Sequence, residues 1–117
     1  MKYLVVDDSK LARLSLIKSL KIHTNEASIY QATNGLQAVE LATEYKPDLI
    51  FLDLTMPEMD GYEALPLLLQ ESADSVVIVV SADIQERAKT KVLSLGAKMH
   101  IQKPISELKM KEILEQL

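Results

Sequence analysis

The sequence predicts an α/β fold, a doubly wound, five-stranded parallel sheet in the order 2-1-3-4-5 with five helices, built by residues 1–117 as one domain. Three observations predict it. Short unbroken apolar runs, Tyr3-Leu4-Val5-Val6, Leu49-Ile50-Phe51-Leu52 and Val76-Val77-Ile78-Val79-Val80, are the pattern of strands covered on both faces. Segments with apolar residues at helical spacing separate the strands, and parallel neighbours require such crossovers. At 117 residues the chain can bury a core without disulfides, and it has no cysteine. Right-handed crossovers leave few topologies, of which 2-1-3-4-5 is the natural order for five such units. Ligands then bind at the carboxyl ends of the strands, where the winding reverses between the first and third.

Taken in order, Tyr3 to Val6 is the first strand and ends in Asp7-Asp8-Ser9. Lys10 to Lys21 then places Ala12, Leu16 and Leu20, with Leu14 and Ile17 between them, at helical spacing. Either Ser9 or Asp8 caps that helix. A second strand is expected at Ser28 to Ala32. Asn34-Gly35 supplies the turn and cap of a helix through Ala38, Leu41 and Ala42, which Lys46-Pro47 stops. Leu49 to Leu52 is the third strand. Beyond it, Asp60-Gly61-Tyr62-Glu63 has the form of a capping box and places a helix start there. Pro66 conflicts with this, because a proline inside a helix removes a hydrogen bond and collides with the preceding turn, at roughly 3 kcal/mol. The helix therefore either kinks at Pro66 or has its regular part begin there, and the second is preferred. After the fourth strand, Val76 to Val80, Asp83-Ile84-Gln85-Glu86 reads as another capping box. It opens a helix with a core face at Ile84, Ala88, Val92 and Leu95, and Gly96 falls just past its end. Met99 to Gln102 makes a short fifth strand. Ser106 caps the last helix, with Ile105 stapled onto Met110.

Composition narrows the function. A net charge of −4 argues against a general nucleic-acid binder, which needs a basic surface. Without cysteine there are no disulfides, thiolate metal sites or cysteine nucleophile. The apolar run after Met1-Lys2 is too short for a secretory signal, and no stretch approaches the ~20 apolar residues that span a bilayer. A cytoplasmic protein without membrane insertion is expected.

The residues that follow the strands carry the chemistry: Asp7 and Asp8 after the first, Asp53 after the third, Ser81 after the fourth and Lys103 after the fifth. Three carboxylates, a hydroxyl and an ammonium thus converge on one crevice. Acids packed together raise one another's pKa unless a cation neutralises them. Carboxylate oxygens with no His or Cys suit Mg²⁺, or alternatively Mn²⁺, better than zinc. Such an ion keeps positions for water and phosphate oxygens, and Lys103 and Ser81 are good phosphate partners. Asp53 is then best placed to take a phosphoryl group as an aspartyl-phosphate. Taken alone, each residue has a structural explanation, as a turn, a cap or a solvated tip. Their coincidence at one edge favours a site.

Asp7-Asp8, Asp53 with Pro57 four positions on, Ser81-Ala82 and Lys103-Pro104 together resemble the response-regulator receiver domain of two-component signalling, across the whole chain. The 2-1-3-4-5 order, flavodoxin-like, is that family's own, so it is not independent of the resemblance. The resemblance implies that Asp53 accepts phosphate from a phosphohistidine on a sensor histidine kinase or phosphotransfer protein. Asp8, Asp53 and the backbone carbonyl of Thr55 would ligate Mg²⁺ directly, and Asp7 through water. Ser81 and Lys103 would bond phosphoryl oxygens, and the bond before Pro104 would be cis. Thr55 and Asp83 occupy positions that tune dephosphorylation, although Asp83, like Asp60, also reads as a helix cap. The chain would be a signalling phospho-acceptor rather than an enzyme, catalysing only its own phosphotransfer and slow autodephosphorylation. Phosphorylation would switch the face of the fourth helix, fifth strand and fifth helix, which contacts an unidentified output protein or effector domain. The kinase would dock near the first helix, where Leu11 or Leu14 is exposed. The chain is expected to be a stand-alone regulator or a receiver cut from a longer one.

His100 departs from the family pattern, which has Tyr or Phe three residues before the lysine. It is either a weakened or pH-sensitive switch residue beside Ser81, or a partly exposed histidine on a short edge strand. Among rival functions, a degenerate receiver would bind partners without phosphate. A phosphohydrolase of the haloacid-dehalogenase type would carry a second acid two residues after its nucleophile, where Thr55 stands. A flavin mononucleotide carrier would need a Gly- and Ser/Thr-rich loop, and the chain has three glycines.

Overall fold

A computed structural model describes residues 1–24, 28–82 and 85–116. The elements alternate: β1 (Lys2–Val6), α1 (Lys10–His23), β2 (Ser28–Ala32), α2 (Gly35–Tyr45), β3 (Leu49–Leu52), α3 (Gly61–Glu71), β4 (Val76–Ser81), α4 (Glu86–Ser94), β5 (Met99–Gln102) and α5 (Glu107–Glu115). All strand pairs are parallel, in one sheet of order β2-β1-β3-β4-β5, as expected. Each face of the sheet carries a core. Leu4, Val6, Ile50, Leu52, Val77 and Val79 pack with Ala38 and Ala42 of α2, Ala64, Leu65 and Leu68 of α3, and Val92 of α4. The alternate residues Tyr3, Val5, Leu49, Phe51, Ile78 and Val80 pack with Ile17 and Leu20 of α1 and with Met110 and Ile113 of α5. Successive strand side chains face opposite ways, so covering both faces demands the unbroken apolar runs seen in the sequence. Among the described residues, no helix is long and apolar enough to cross a membrane.

Side-chain caps set most helix starts. Ser9, not Asp8, caps α1, its Oγ accepting from Ala12 N at 3.2 Å. Asn34 caps α2 and Asp60 caps α3, each accepting a backbone N–H at 2.9 Å, and Ser106 caps α5 at 3.1 Å. Ile105 and Met110 share one core, as the staple requires. Gly96, with φ of 111°, follows α4 in a backbone conformation that side chains disfavour.

Two expectations are corrected. The regular part of α3 does not begin at Pro66: the helix runs from Gly61 to Glu71 with Pro66 inside it. The Asp60 cap and the burial of Ala64, Leu65 and Leu68 along one face outweigh the proline's local cost. Pro66 lies on the exposed face, where the interrupted ladder meets water. Pro66→Ala is therefore expected to raise stability by about 1–2 kcal/mol, seen as a higher urea midpoint at unchanged slope, the gain being reduced because the unfolded chain becomes freer. The second correction concerns α4. It begins at Glu86 behind Gln85, which makes no side-chain capping bond, so Glu86 opens the helix rather than completing a box. A carboxylate in that first turn favours the helix dipole. The expected cap Asp83 and core residue Ile84 lie outside the described residues.

Candidate functional site

The sheet register decides which side chains meet. Val6 is aligned with Ala32 on one side and Leu52 on the other, and Leu52 with Val79. Two backbone bonds carry the alignment one residue further: Asp7 N donates to Ala32 O at 3.1 Å, and Asp53 N to Val6 O at 3.0 Å. Asp7 and Asp53 thus leave β1 and β3 side by side. Ser81 closes β4 opposite Gln102, and Lys103 N donates to Ser81 O at 2.9 Å. Lys103 therefore starts beyond the level of the two acids, and its long side chain reaches back to them.

It reaches both. Lys103 Nζ lies 2.6 Å from Asp7 Oδ2 and 3.2 Å from Asp53 Oδ1. One carboxylate oxygen from each of Asp7, Asp8 and Asp53 lies within 4.8 Å of the other two. Asp7, Asp53 and Ser81 are buried and Asp8 is exposed, so the cluster opens to solvent on the Asp8 side. Asp53 Oδ1 also accepts from Leu54 N at 2.9 Å, and Asp7 Oδ1 from Ser9 N at 2.9 Å. Arg13, which the sequence reading did not single out, donates from Nη1 to Asp7 O at 2.8 Å and from Nε to Gln31 Oε1 at 2.9 Å. The available signal was a cation in the first turn of the helix that follows an acid pair.

Burial pushes the Asp53 carboxyl above its ordinary range, and the Asp7 charge adds to this; Lys103 and the Leu54 N–H offset only part of it. Burial pulls the Lys103 ammonium down, but the bond to Asp7 and the charges of Asp53 and Asp7 outweigh it, leaving Lys103 above its ordinary range. One ammonium thus serves two buried carboxylates with a third nearby. That is an excess of negative charge made of oxygen donors alone, which fits a hard divalent cation such as Mg²⁺.

The segment after β3 is tied down at close range. Gly61 N donates to Leu54 O and Gly35 N to Met59 O, both at 2.9 Å. A Cβ on Gly61 would stand 2.2 Å from Asp53 O, so only glycine lets α3 start this close to the acid. Thr55, the expected carbonyl ligand, is exposed on this segment. The Lys103-Pro104 bond is cis, as expected. Asp60 serves as a cap, and Asp83 lies outside the described residues. Leu11 and Leu14 are exposed on α1, as expected. His100 stands apart from the acids: it is half-buried on β5 and lines a groove between α4 and α5.

Comparison with known proteins agrees with this geometry. The family model for the response regulator receiver domain matches residues 3–115. The chemotaxis protein CheY of Listeria monocytogenes is 38% identical over 115 residues, covering 98% of this chain and 96% of that protein. The crystal structure of the response regulator domain of Thermotoga maritima CheB superposes with a TM-score of 0.84 at 34% identity, covering 99% of this chain and 92% of that one. A CheX-CheY-BeF3-Mg²⁺ complex from Borrelia burgdorferi gives 0.91 at 28% identity, covering 99% and 87%.

Proposed function

We infer that this chain, which belongs to the response regulator receiver domain family, is a signalling switch thrown by phosphorylation of Asp53. The observation that carries this reading is the Lys103 ammonium shared between Asp7 and Asp53 beside Asp8. Asp53 is the nucleophile. One of its carboxylate oxygens bonds to phosphorus as the P–N bond of a donor phosphohistidine breaks, and the imidazole nitrogen keeps the electron pair. Lys103 then transfers part of its pairing to a phosphoryl oxygen, and Ser81 takes another. Asp8, Asp53 and the Thr55 carbonyl would hold Mg²⁺, with Asp7 acting through water. When bound, the ion neutralises charge on the phosphoryl oxygens. Thr55, and by resemblance Asp83, tune the hydrolysis of the phosphate.

The donor is a sensor histidine kinase or phosphotransfer protein, docking near α1 by way of Leu11 and Leu14. Output leaves through the face of α4, β5 and α5. Support for that route is covalent and short: Lys103 follows β5 directly, and the ladder pairs Ser81 with Gln102. Phosphate shifts an existing equilibrium of this face through Ser81 and His100.

Incubation with acetyl phosphate and Mg²⁺ should add one acid-stable, base-labile phosphate, detected as a mass increase. Omitting Mg²⁺, or Asp8→Ala, should suppress it. A chain that stays unlabelled would sink this reading and favour a receiver that binds partners without phosphate.

A further inference from the structure

The acids of the cluster are not held alike. Asp7 is tied down on several sides: its N–H donates to Ala32 O at 3.1 Å, its Oδ1 accepts from Ser9 N at 2.9 Å, and its Oδ2 pairs with Lys103 Nζ at 2.6 Å. Asp8 is exposed, and among the described residues no ion pair holds its carboxylate. The direction of Asp8 therefore depends on its backbone. The carbonyl of Asp7 and the N–H of Asp8 share one planar peptide, so a group that fixes that carbonyl also fixes the plane from which Asp8 departs.

Arg13 is that group. Its Nη1 donates to Asp7 O at 2.8 Å, and its Nε donates to Gln31 Oε1 at 2.9 Å. Gln31 lies on β2 opposite Val5 of β1, and Arg13 sits in the first turn of α1, where its own N–H donates to Ser9 O at 3.0 Å. The acid-bearing turn is thus clamped between a helix and the neighbouring strand. Serving both acceptors at once needs a planar guanidinium with donors in fixed directions; an ammonium on a flexible stem cannot reproduce it. Among the described residues no carboxylate lies within ion-pair distance of Arg13, so its contact with the cluster is to the backbone and not to the acids' charge.

We propose that Arg13 is a positioning residue for the cation site: by holding the Asp7 carbonyl against Gln31 it aims Asp8 at the position shared with Asp7 and Asp53. The proposal rests on the reading of these acids as a Mg²⁺ site and adds the residue that orients them. A carboxylate aimed in advance loses less freedom when it takes up an ion, and partners outside the ligand set commonly govern metal affinity for this reason. Position and charge predict opposite signs here. A cation beside the cluster repels a divalent ion, so if charge alone mattered, removing Arg13 would strengthen binding.

The test uses the full chain and Mg²⁺ alone, read by melting temperature, which rises as the ion binds the folded state. Arg13→Met should need about tenfold more Mg²⁺ for the same rise, Arg13→Lys nearly as much, and Gln31→Leu about threefold more. With acetyl phosphate as a second readout, the Mg²⁺ level for half-maximal labelling should rise in Arg13→Met by the same factor, while the rate at saturating Mg²⁺ falls less than about twofold. A merely structural Arg13 would lower the metal-free melting temperature and leave the Mg²⁺ requirement as in the native chain. A purely electrostatic one would lower that requirement in Arg13→Met and leave Arg13→Lys native. Either result overturns the proposal. Should Arg13→Met fail to fold, Arg13→Lys and the exposed Gln31→Leu decide, and a native Mg²⁺ requirement in both overturns it. A native chain that responds to Mg²⁺ no differently from its variants sinks Arg13 alone, whereas a native chain indifferent to Mg²⁺ sinks the metal site and the positioning with it.

Discussion

Asp53→Asn is expected to leave a folded chain that takes up no phosphate from acetyl phosphate, a loss of at least about a hundredfold in labelling rate. An amide keeps the shape and the contact with Leu54 N but is not a nucleophile at phosphorus. Lys103 retains its 2.6 Å bond to Asp7, so the site does not lose its cation. The same change should raise the melting temperature of the metal-free chain. Burial and the Asp7 charge disfavour the ionised Asp53 carboxylate, and the neutral amide removes both penalties. Residual base-labile phosphate in this variant would assign the acceptor elsewhere.

The linked pH dependence has a definite sign. The folded-state pKa of Asp53 is raised, so its contribution to stability is fully present below its unfolded value and is lost as pH rises through the folded value. Lys103 is also raised, and its contribution is present at neutral pH and lost only as alkaline pH passes its folded value. Native and Asp53→Asn melting curves measured from acid to neutral pH without metal should therefore diverge as pH increases, the variant becoming relatively more stable.

The acid cluster was legible because a parallel sheet brings the carboxyl ends of all its strands to one edge. Once β1 and β3 are recognised by their apolar runs, and β5 as the short strand before Lys103-Pro104, Asp7, Asp53 and Lys103 must be neighbours. Caps at Ser9, Asn34, Asp60 and Ser106 were legible because capping is local chemistry. Pro66 was misread for the opposite reason: its local cost is real, but burial along α3 decides, and burial is a tertiary quantity. Arg13 was only faintly signalled, by its place in the first turn after the acid pair, because its partners, the Asp7 carbonyl and the Gln31 amide, are brought together only by β1 pairing with β2. The covered Nε2 of His100 depends on a ring orientation that no sequence pattern states.

Gly61→Ala should couple the fold to the chemistry most directly. The added Cβ would stand 2.2 Å from Asp53 O and 2.8 Å from Leu54 Cα, both backbone atoms that no rotamer change can move. Something larger has to shift, either the start of α3 or the peptide that carries Asp53. If α3 shifts, the Gly61 N to Leu54 O bond and the Asp60 cap are strained, and stability falls by roughly 3 kcal/mol. If the Asp53 peptide shifts, its carboxylate leaves the position fixed by Leu54 N and Lys103, and labelling slows more than stability falls. Urea midpoint and labelling rate measured on the same variant distinguish the two. A variant as stable and as readily labelled as the native chain would show that this glycine is not what holds α3 against the acceptor.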